Sequence, residues 1–588
     1  MSDSKVAMGD TDDADDAEVI WRVAAPDPAV SDALASALDL PPIVARLLVN
    51  RGVSEPDAAA RFLDPSLDDL HDPHALPDVD KAVERLARAL ENKERIFVHG
   101  DYDADGVTSA ALCLRALAQL GADVIGYVPK RTEGYDLQAA GVDRAKAAGA
   151  RLILTADCGV CAVGAVKYAN EQGLDVVVTD HHRPDPAGLP PAVAVVNPYR
   201  DECAAPFKDL CGAGVAFKVM DALVAHVQPR FRRSFRQSAL DLVALGTVAD
   251  VTPLVGENRV FVRHGLLALA EAKKAGIRAL LVSTDLLDRP LTARNISWKL
   301  GPRLNAAGRM EDADLAYRLL TTKDPDEAES LAVQMAALHD KSREETSRVT
   351  TEALAAALSP EHEDRRVLVL AKEWWGKSVV GIAAGRIAEQ TRRPVILLSY
   401  DKEQDVWHGS ARSFGAFNLH TAFHDCADLL GRFGGHSASA GVSLPAANLS
   451  AFCDRLHELA EGVVSVEPVV PELLVDAEVD GSEWTLPIVE QLSRLEPFGR
   501  ANPEPVFVTR GAQALAPTRI GKDGNTFRMD VRLPGLFRPL KAVWFSHGDW
   551  ADKITGGDEV DIAYTPTINN WNGRTSVELS LHDVRLAR

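Results

Sequence analysis

The sequence predicts an α/β multidomain protein. It should hold a parallel-sheet domain, a second α/β domain joined to it by a long helix, and a closing β-barrel. Three observations predict this. Between residues 95 and about 200, short apolar runs alternate with Ala-rich stretches of helical spacing, as expected of strands covered by helices on both faces. The stretch from about 324 to 358 is polar, rich in Ala, Glu and Arg, and free of Gly, which suits one long helix. From about 473, period-two runs follow one another without helices between them, separated by turns such as "KDGN" and "NNWNG". That pattern suits a small antiparallel barrel.

The elements follow in order. "MSDSKVAMGDTDDADDAE" is acidic and polar and reads as part of a disordered tail over 1–20. The first domain is expected over 21–323. Its strands are "RIFVHGD", "DVIGYVP", "RLILTADCG", "LDVVVTDHH" and "AVAVVNPY". Its helices are 107–120, 137–148, 163–172, 215–227 and 237–250. A connecting helix takes 324–360, and "PEHEDR" marks a boundary. The second α/β unit, 361–466, has strands "RVLVLA" and "PVILLSY" around the helix "SVVGIAAGRIAEQ". The barrel takes 470–588.

Bulk properties narrow the function. The 588 residues are 46% hydrophobic and 25% charged, which are globular values for several domains. No run of about 18 apolar residues exists, so no membrane span is expected. The N-terminus lacks the pattern of an export signal, and seven cysteines then read as free thiols in a reducing cytoplasm. Cys158 and Cys161 form a CxxC, but Cys203 and Cys211 have the wrong spacing for a second zinc pair. A net charge of −21 argues against a general nucleic-acid coat. It leaves a nuclease open, because a site that holds cations must be acidic.

The chemistry sits at the strand tips. "FVHGDYDADGVTSA" puts His99, Asp101, Asp103 and Asp105 at the end of a buried strand, the edge where open α/β sheets bind ligands. "LILTAD" delivers Asp157, "VVVTD" delivers Asp180 followed by His181 and His182, and the helical stretch "LVALGTVADVTPL" delivers Asp250. Any one of these aspartates could be a helix cap, Asp101 among them. Together they crowd like charges that only cations reconcile. Carboxylates with imidazoles suit Mn2+ or Mg2+. Two such ions about 3.5–4 Å apart activate a water and steady phosphoryl oxygens. The residue reading is metal-assisted phosphoester or phosphoanhydride hydrolysis.

"DYDADG", "TADCG", "TDHH" and "GTVADVTPL" resemble the four motifs of the DHH phosphoesterase family. "GPRLNAAGRM", "GSARS", "RFGGHSASAG" and "LEPFGRANPEPVF" narrow the resemblance to that family's single-strand-specific exonucleases, across about residues 40–588. The resemblance implies a DHH catalytic domain, a DHHA1 domain and an OB-fold barrel. It implies one metal ion on His99, Asp103 and Asp157, and a second on Asp105, Asp157, His181 and Asp250. Asp180 would orient its neighbours, and His182 would face the scissile phosphate. Ser410 and Arg412 would hold the 5′ end of the strand, with Arg131 near the same pocket. Arg303, Arg309 and Asn305 would lie along the phosphate chain, and His436 near the substrate. The implied activity is 5′→3′ degradation of single-stranded DNA to 5′-mononucleotides. The implied partners are single-stranded DNA, a single-strand-binding protein and a repair helicase, met by a cytoplasmic monomer.

Two positions depart from the family pattern. "EGYD" puts Asp136 where a Gly is usual, and "WWGKSVVGI" puts Gly376 where a His is usual. The first rival function is a short-oligonucleotide or cyclic-dinucleotide phosphodiesterase, against which the extra barrel counts. A silent scaffold is the second, and the complete set of metal motifs counts against it. In the barrel, Phe527, Trp544, Phe545 and Trp571 could stack bases, with Lys522, Arg528 and Arg532 nearby. Core packing is the default for each aromatic. "RFRRSFR" (230–236) reads equally as a DNA strip or a solvated helix face.

Overall fold

The computed structural model describes residues 19–310, 313–464, 470–571 and 574–587. The tail expected over 1–20 lies almost wholly outside them. By internal contacts the chain forms two units, residues 70–469 and residues 1–69 with 470–588.

In the larger unit a five-stranded parallel sheet runs in the order Val124–Tyr127, Ile96–Gly100, Leu152–Ala156, Asp175–Thr179, Ala194–Val196. The strands Ile96–Gly100 and Leu152–Ala156 are buried throughout, which is why their sequences are unbroken apolar runs rather than alternating ones. Helices Ala139–Ala147 and Val163–Glu171 supply apolar residues to one core of this sheet. Helices Ala104–Gln119, Gly212–Val227 and Arg232–Ala249 pack against one another. The last two begin ahead of the starts expected at 215 and 237. Glycines and arginines at those starts hide the apolar spacing.

Two of the four arginines of "RFRRSFR" are held in structure, while Arg230 and Arg233 are exposed. Arg232 and Arg236 each fork both oxygens of Asp221, at 2.8–3.0 Å. Asp221 is 1% exposed. Burial alone would raise its carboxyl, and the two guanidiniums more than reverse that. Asp221→Asn should lower stability by about 2 kcal/mol. That is less than a fully buried broken pair costs, because the Arg232 and Arg236 side chains keep 38% and 17% of their exposure. Thermal unfolding would read it, and a shift near zero would return those arginines to the list of free DNA contacts.

Helix Pro325–Ala357 is one continuous 33-residue element, N-capped by Asp324. Its Val349, Ala353 and Ala357 pack on helix Val380–Thr391 and on strands of the second sheet. That sheet runs Arg432–Gly435, Ser439–Pro445, Val406–Arg412, Val395–Asp401, Leu368–Lys372. Only its last pair is parallel. At Gly376, where the family pattern has a histidine, an added Cβ would meet Glu345 Oε1 at 2.0 Å, the far end of a flexible side chain that can move aside.

In the smaller unit, strands Phe507–Ile520, Thr526–Arg532, Leu540–Trp544, Arg574–Leu586 and Glu559–Trp571 close into a barrel through pairing of the first with the last. The barrel is not wholly antiparallel. Leu540–Trp544 and Arg574–Leu586 run parallel, because the chain crosses over through helix Trp550–Lys553 and strand Glu559–Trp571 before it returns. Phe527 and Trp544 are buried in the barrel core, while Phe545 is exposed, as are Lys522, Arg528 and Arg532. The side chain of Trp571 lies outside the described residues.

One expected boundary is corrected here. Residues 21–69 belong with the barrel, not with the parallel sheet that follows them. Strand Ile20–Val23 pairs with Glu472–Val475. Leu34, Ile43, Val44, Leu47 and Leu48 share the barrel's core, and Arg51 donates to Asn502 Oδ1 at 2.9 Å. An apolar face on these helices needs a partner, and the barrel provides it.

Candidate active site

Four chain turns meet at one edge of the parallel sheet. The turn after Ile96–Gly100 carries Asp101, Asp103 and Asp105. Asp103, not Asp101, caps the following helix: its Oδ1 accepts from the backbone N–H of Asp105 and Gly106, both at 3.0 Å. Asn305 adds to this cap, with Oδ1 accepting from Ala104 N at 2.8 Å. Asp105 turns back to the start of helix Gly212–Val227, where its carboxylate accepts from Gly212 N at 2.6 Å and Ala213 N at 2.9 Å. A negative group at a helix N-terminus is favoured there. Asp157 ends strand Leu152–Ala156 with φ +67°, a conformation few non-Gly residues hold and one found at functional sites. Val251, beside Asp250, has φ +56°, and for a β-branched residue that is rarer still.

These turns bring ligand atoms within 4.8 Å of one another in three groups: Asp157, His181 and His182; Asp105, His181 and Asp250; Asp101, Asp103 and Asp157. His181 Nε2 lies 3.2 Å from Asp157 Oδ1, 3.8 Å from Asp250 Oδ2 and 3.9 Å from Asp105 Oδ2. Burial, and then neighbouring carboxylates, hold Asp157 and Asp101 well above the usual carboxylate range. Burial also raises Asp105, against the pull of His181. Asp101 Oδ1 and Asp157 Oδ1 are buried without a hydrogen-bond partner. The contact of Asp157 with His181 is close but lacks hydrogen-bond geometry. Orphaned buried carboxylate oxygens beside an imidazole are what a hard divalent cation satisfies.

His99 is absent from those groups. It is buried at the strand end, its Nδ1 3.7 Å from Cys158 Sγ and its ring against Tyr127. Burial draws its imidazole down to about 4. Asp101 stands where the sequence reading put His99, in company with Asp103 and Asp157.

Asp180 behaves as an orienting carboxylate. Its Oδ1 accepts from His181 N and His182 N and pairs with His182 Nδ1 at 2.8 Å, while Oδ2 accepts from Val160 N. Burial lowers the His182 imidazole, but the Asp180 hydrogen bond and the surrounding carboxylates outweigh it and raise it to about 9. Tyr135 packs edge-on against His182 with ring centroids 5.6 Å apart.

Beside this cluster lies a cavity of about 250 Å³ lined by Arg131, Arg309, Lys377, His408, Ser410 and Arg412. Arg131 stacks over Tyr102, 5.2 Å from the ring centroid, and Arg309 feels the charge of Asp103. Of the expected substrate residues, the cavity gathers Arg131, Arg309, Ser410 and Arg412. Asn305 is spent on the helix cap, Arg303 reaches Ser283 Oγ at 3.4 Å, and His436 is exposed on a turn. Sequence reading missed Lys377 and His408. A signal for His408 was present: 408, 410 and 412 are alternate positions and therefore share one face of strand Val406–Arg412. Asp136 is tolerated at its Gly-like position, φ +72°, because Asp enters the left-handed region readily and its side chain accepts from Leu137 N at 2.8 Å.

Residues 95–247 match the DHH family N-terminal domain, 364–462 the DHHA1 domain, and 475–583 the RecJ OB domain. Fold and site thus define a DHH-family protein. The single-stranded-DNA-specific exonuclease RecJ of Bacillus subtilis (strain 168) is 35% identical over 568 residues, 96% of this chain and 71% of that protein. RecJ of Escherichia coli (strain K12) is 34% identical over 93% of this chain and 96% of its own. The crystal structure of Thermus thermophilus RecJ in complex with Mn2+ superposes with a TM-score of 0.81 at 32% identity, covering 97% of this chain and 80% of that one. The Mg2+ complex gives 0.75 at 31% identity, covering 97% and 79%. The chain belongs to the RecJ family.

Proposed function

We propose that this chain is a divalent-metal-dependent exonuclease for single-stranded DNA, acting from the 5′ end and releasing 5′-mononucleotides. The observation that carries the reading is the convergence of Asp101, Asp103, Asp105, Asp157, His181 and Asp250 beside a pocket lined with arginines. Asp105, Asp157, His181 and Asp250 would hold one Mn2+ or Mg2+. Asp103 and Asp157, with Asp101 beside them, would hold the other, and His99 stands apart against Cys158 and Tyr127. Such a pair supplies a water of lowered pKa and charge to steady phosphoryl oxygens. The curated relatives are named for this substrate, and Thermus RecJ is known in complex with both metals.

The protein's own groups do the rest. His182 pairs through Nδ1 with Asp180 Oδ1 at 2.8 Å, which leaves its Nε2 to face an oxygen of the scissile phosphate or the departing 3′ oxygen. Asp180 keeps it in place. Arg131, Arg309 and Arg412 hold the terminal phosphate, and Ser410 receives Arg412 Nη1 on its Oγ at 3.1 Å, which fixes that guanidinium. A pocket that holds one terminus would explain why cutting starts at an end. The chain further acts as a cytoplasmic monomer, with a single-strand-binding protein and a repair helicase as partners. Among the described residues no helix is long and apolar enough to cross a membrane.

The test is degradation of labelled single strands blocked at the 5′ or the 3′ end, with Mn2+. Protection by the 5′ block alone is expected, and protection by the 3′ block alone overturns the polarity. Preference for a dinucleotide over a long strand would favour the short-substrate rival. Arg412→Ala should raise KM about tenfold, the low end for a charge-assisted contact. Its kcat should change little, because the contact is made before and during cleavage alike.

A further inference from the structure

One stretch of the cavity lining, residues 377–382, has no assigned task. Lys377 lies there, on a short loop that the fold holds firmly. Trp375 is buried, and its Nε1 donates to Glu352 Oε2 at 2.8 Å. Ser399 Oγ donates to Trp375 O at 2.6 Å, and Val379 N donates to Gly376 O at 3.1 Å. Helix Val380–Thr391 begins just after, and Val380, Gly381 and Ile382 line the same cavity. A helix start adds positive potential to the space in front of it. The Lys377 ammonium meets Asp401 Oδ2 at 2.7 Å. That pair is partly solvated, and a lysine stem is flexible enough to change partner.

We propose that Lys377 is a specificity-determining contact for a 5′-terminal phosphate, leaving Asp401 for a phosphate oxygen when the strand end enters. The inference rests on the exonuclease reading of the pocket and adds a residue outside the motifs that suggested it. A terminal monoester carries up to two negative charges near neutral pH, an internal linkage one and a 5′-hydroxyl none. A fourth cation, masked by Asp401 until a stronger anion arrives, therefore favours a phosphorylated end over other parts of the strand.

The experiment is equilibrium binding of 3′-fluorescein-labelled single strands, with 5′-phosphate or 5′-hydroxyl ends, to the full-length chain in chelator so that nothing is cut. The wild type should prefer the phosphorylated strand. Lys377→Gln should lose about tenfold affinity for that strand and none for the hydroxyl strand, with a salt slope shallower by about 0.7. Lys377→Arg should keep most of the preference, and Asp401→Asn should enlarge it. Equal losses on both strands, or an unchanged preference in Lys377→Gln, overturn the role of Lys377 while leaving the pocket intact. A wild type that does not distinguish the two ends overturns the pocket reading itself.

Discussion

Asp157→Asn should lower Mn2+-dependent hydrolysis by at least about 10³-fold, some 4 kcal/mol of barrier, yet leave the metal-free chain at least as heat-stable as the wild type. The two halves have one cause. Asp157 contributes to two of the three groups of ligand atoms, so no other carboxylate would replace it between two cations. In the metal-free chain, burial and then Asp105, Asp103 and Asp101 raise its pKa. A carboxyl raised on folding is destabilising when ionised. Its cost is absent below the unfolded value near 3.8, grows as pH rises through the folded value and is full above it. An amide at 157 removes that cost at neutral pH. Melting curves in chelator and in Mn2+ separate the effects. Mn2+ should raise the wild-type midpoint more at pH 8 than at pH 5.5, because cations compete with protons for the same oxygens, and should raise the variant's much less. Retained hydrolysis, or a marked loss of stability in chelator, would remove Asp157 from the shared position.

Much of this site was legible because strand tips are. Unbroken apolar runs ending in Asp or His mark the C-terminal edge of a parallel sheet, and three such endings had to converge once the sheet formed, while Asp250 arrives at the end of helix Arg232–Ala249. Asp180 was placed by the same pattern: it follows a buried strand and hydrogen-bonds the two histidines after it. Less legible was anything fixed by side-chain direction. His99 lies in the strand and Asp101 opens the turn after it, and the sequence does not say which one faces Asp103. The arginine cavity was half visible, since its motifs are long, but Lys377 enters it from a loop whose course depends on Trp375 and Glu352. The packing of residues 21–69 on the barrel was invisible. Its contacts join positions more than 400 residues apart, such as Arg51 with Asn502, and no local pattern encodes them.

Two glycines carry the second large effect. A Cβ on Gly212 would stand 2.4 Å from the Cβ and Oδ1 of Asp157, and one on Gly246 would stand 2.4 Å from Asp105 Oδ1 and 2.8 Å from Ala213 Cβ. Both helices therefore approach the carboxylates closely enough to leave no room for a methyl group. Gly212 also presents its N–H to Asp105. Gly212→Ala or Gly246→Ala must push a metal-facing carboxylate aside, since the other neighbours are packed helix. A displacement of about 1 Å at a reacting centre costs about 10²-fold in rate. We expect that loss in kcat for each variant, a higher Mn2+ concentration at half-maximal activity, and about 1–3 kcal/mol of lost stability from overpacking. Gly164→Ala is the matched control. It lies in helix Val163–Glu171 with nothing within 4 Å of the added carbon, so it should keep full activity and gain about 0.5–1 kcal/mol from helix propensity. If all three variants behave alike, close helix approach is not what positions Asp105 and Asp157, and the cations must be held by a looser arrangement of carboxylates.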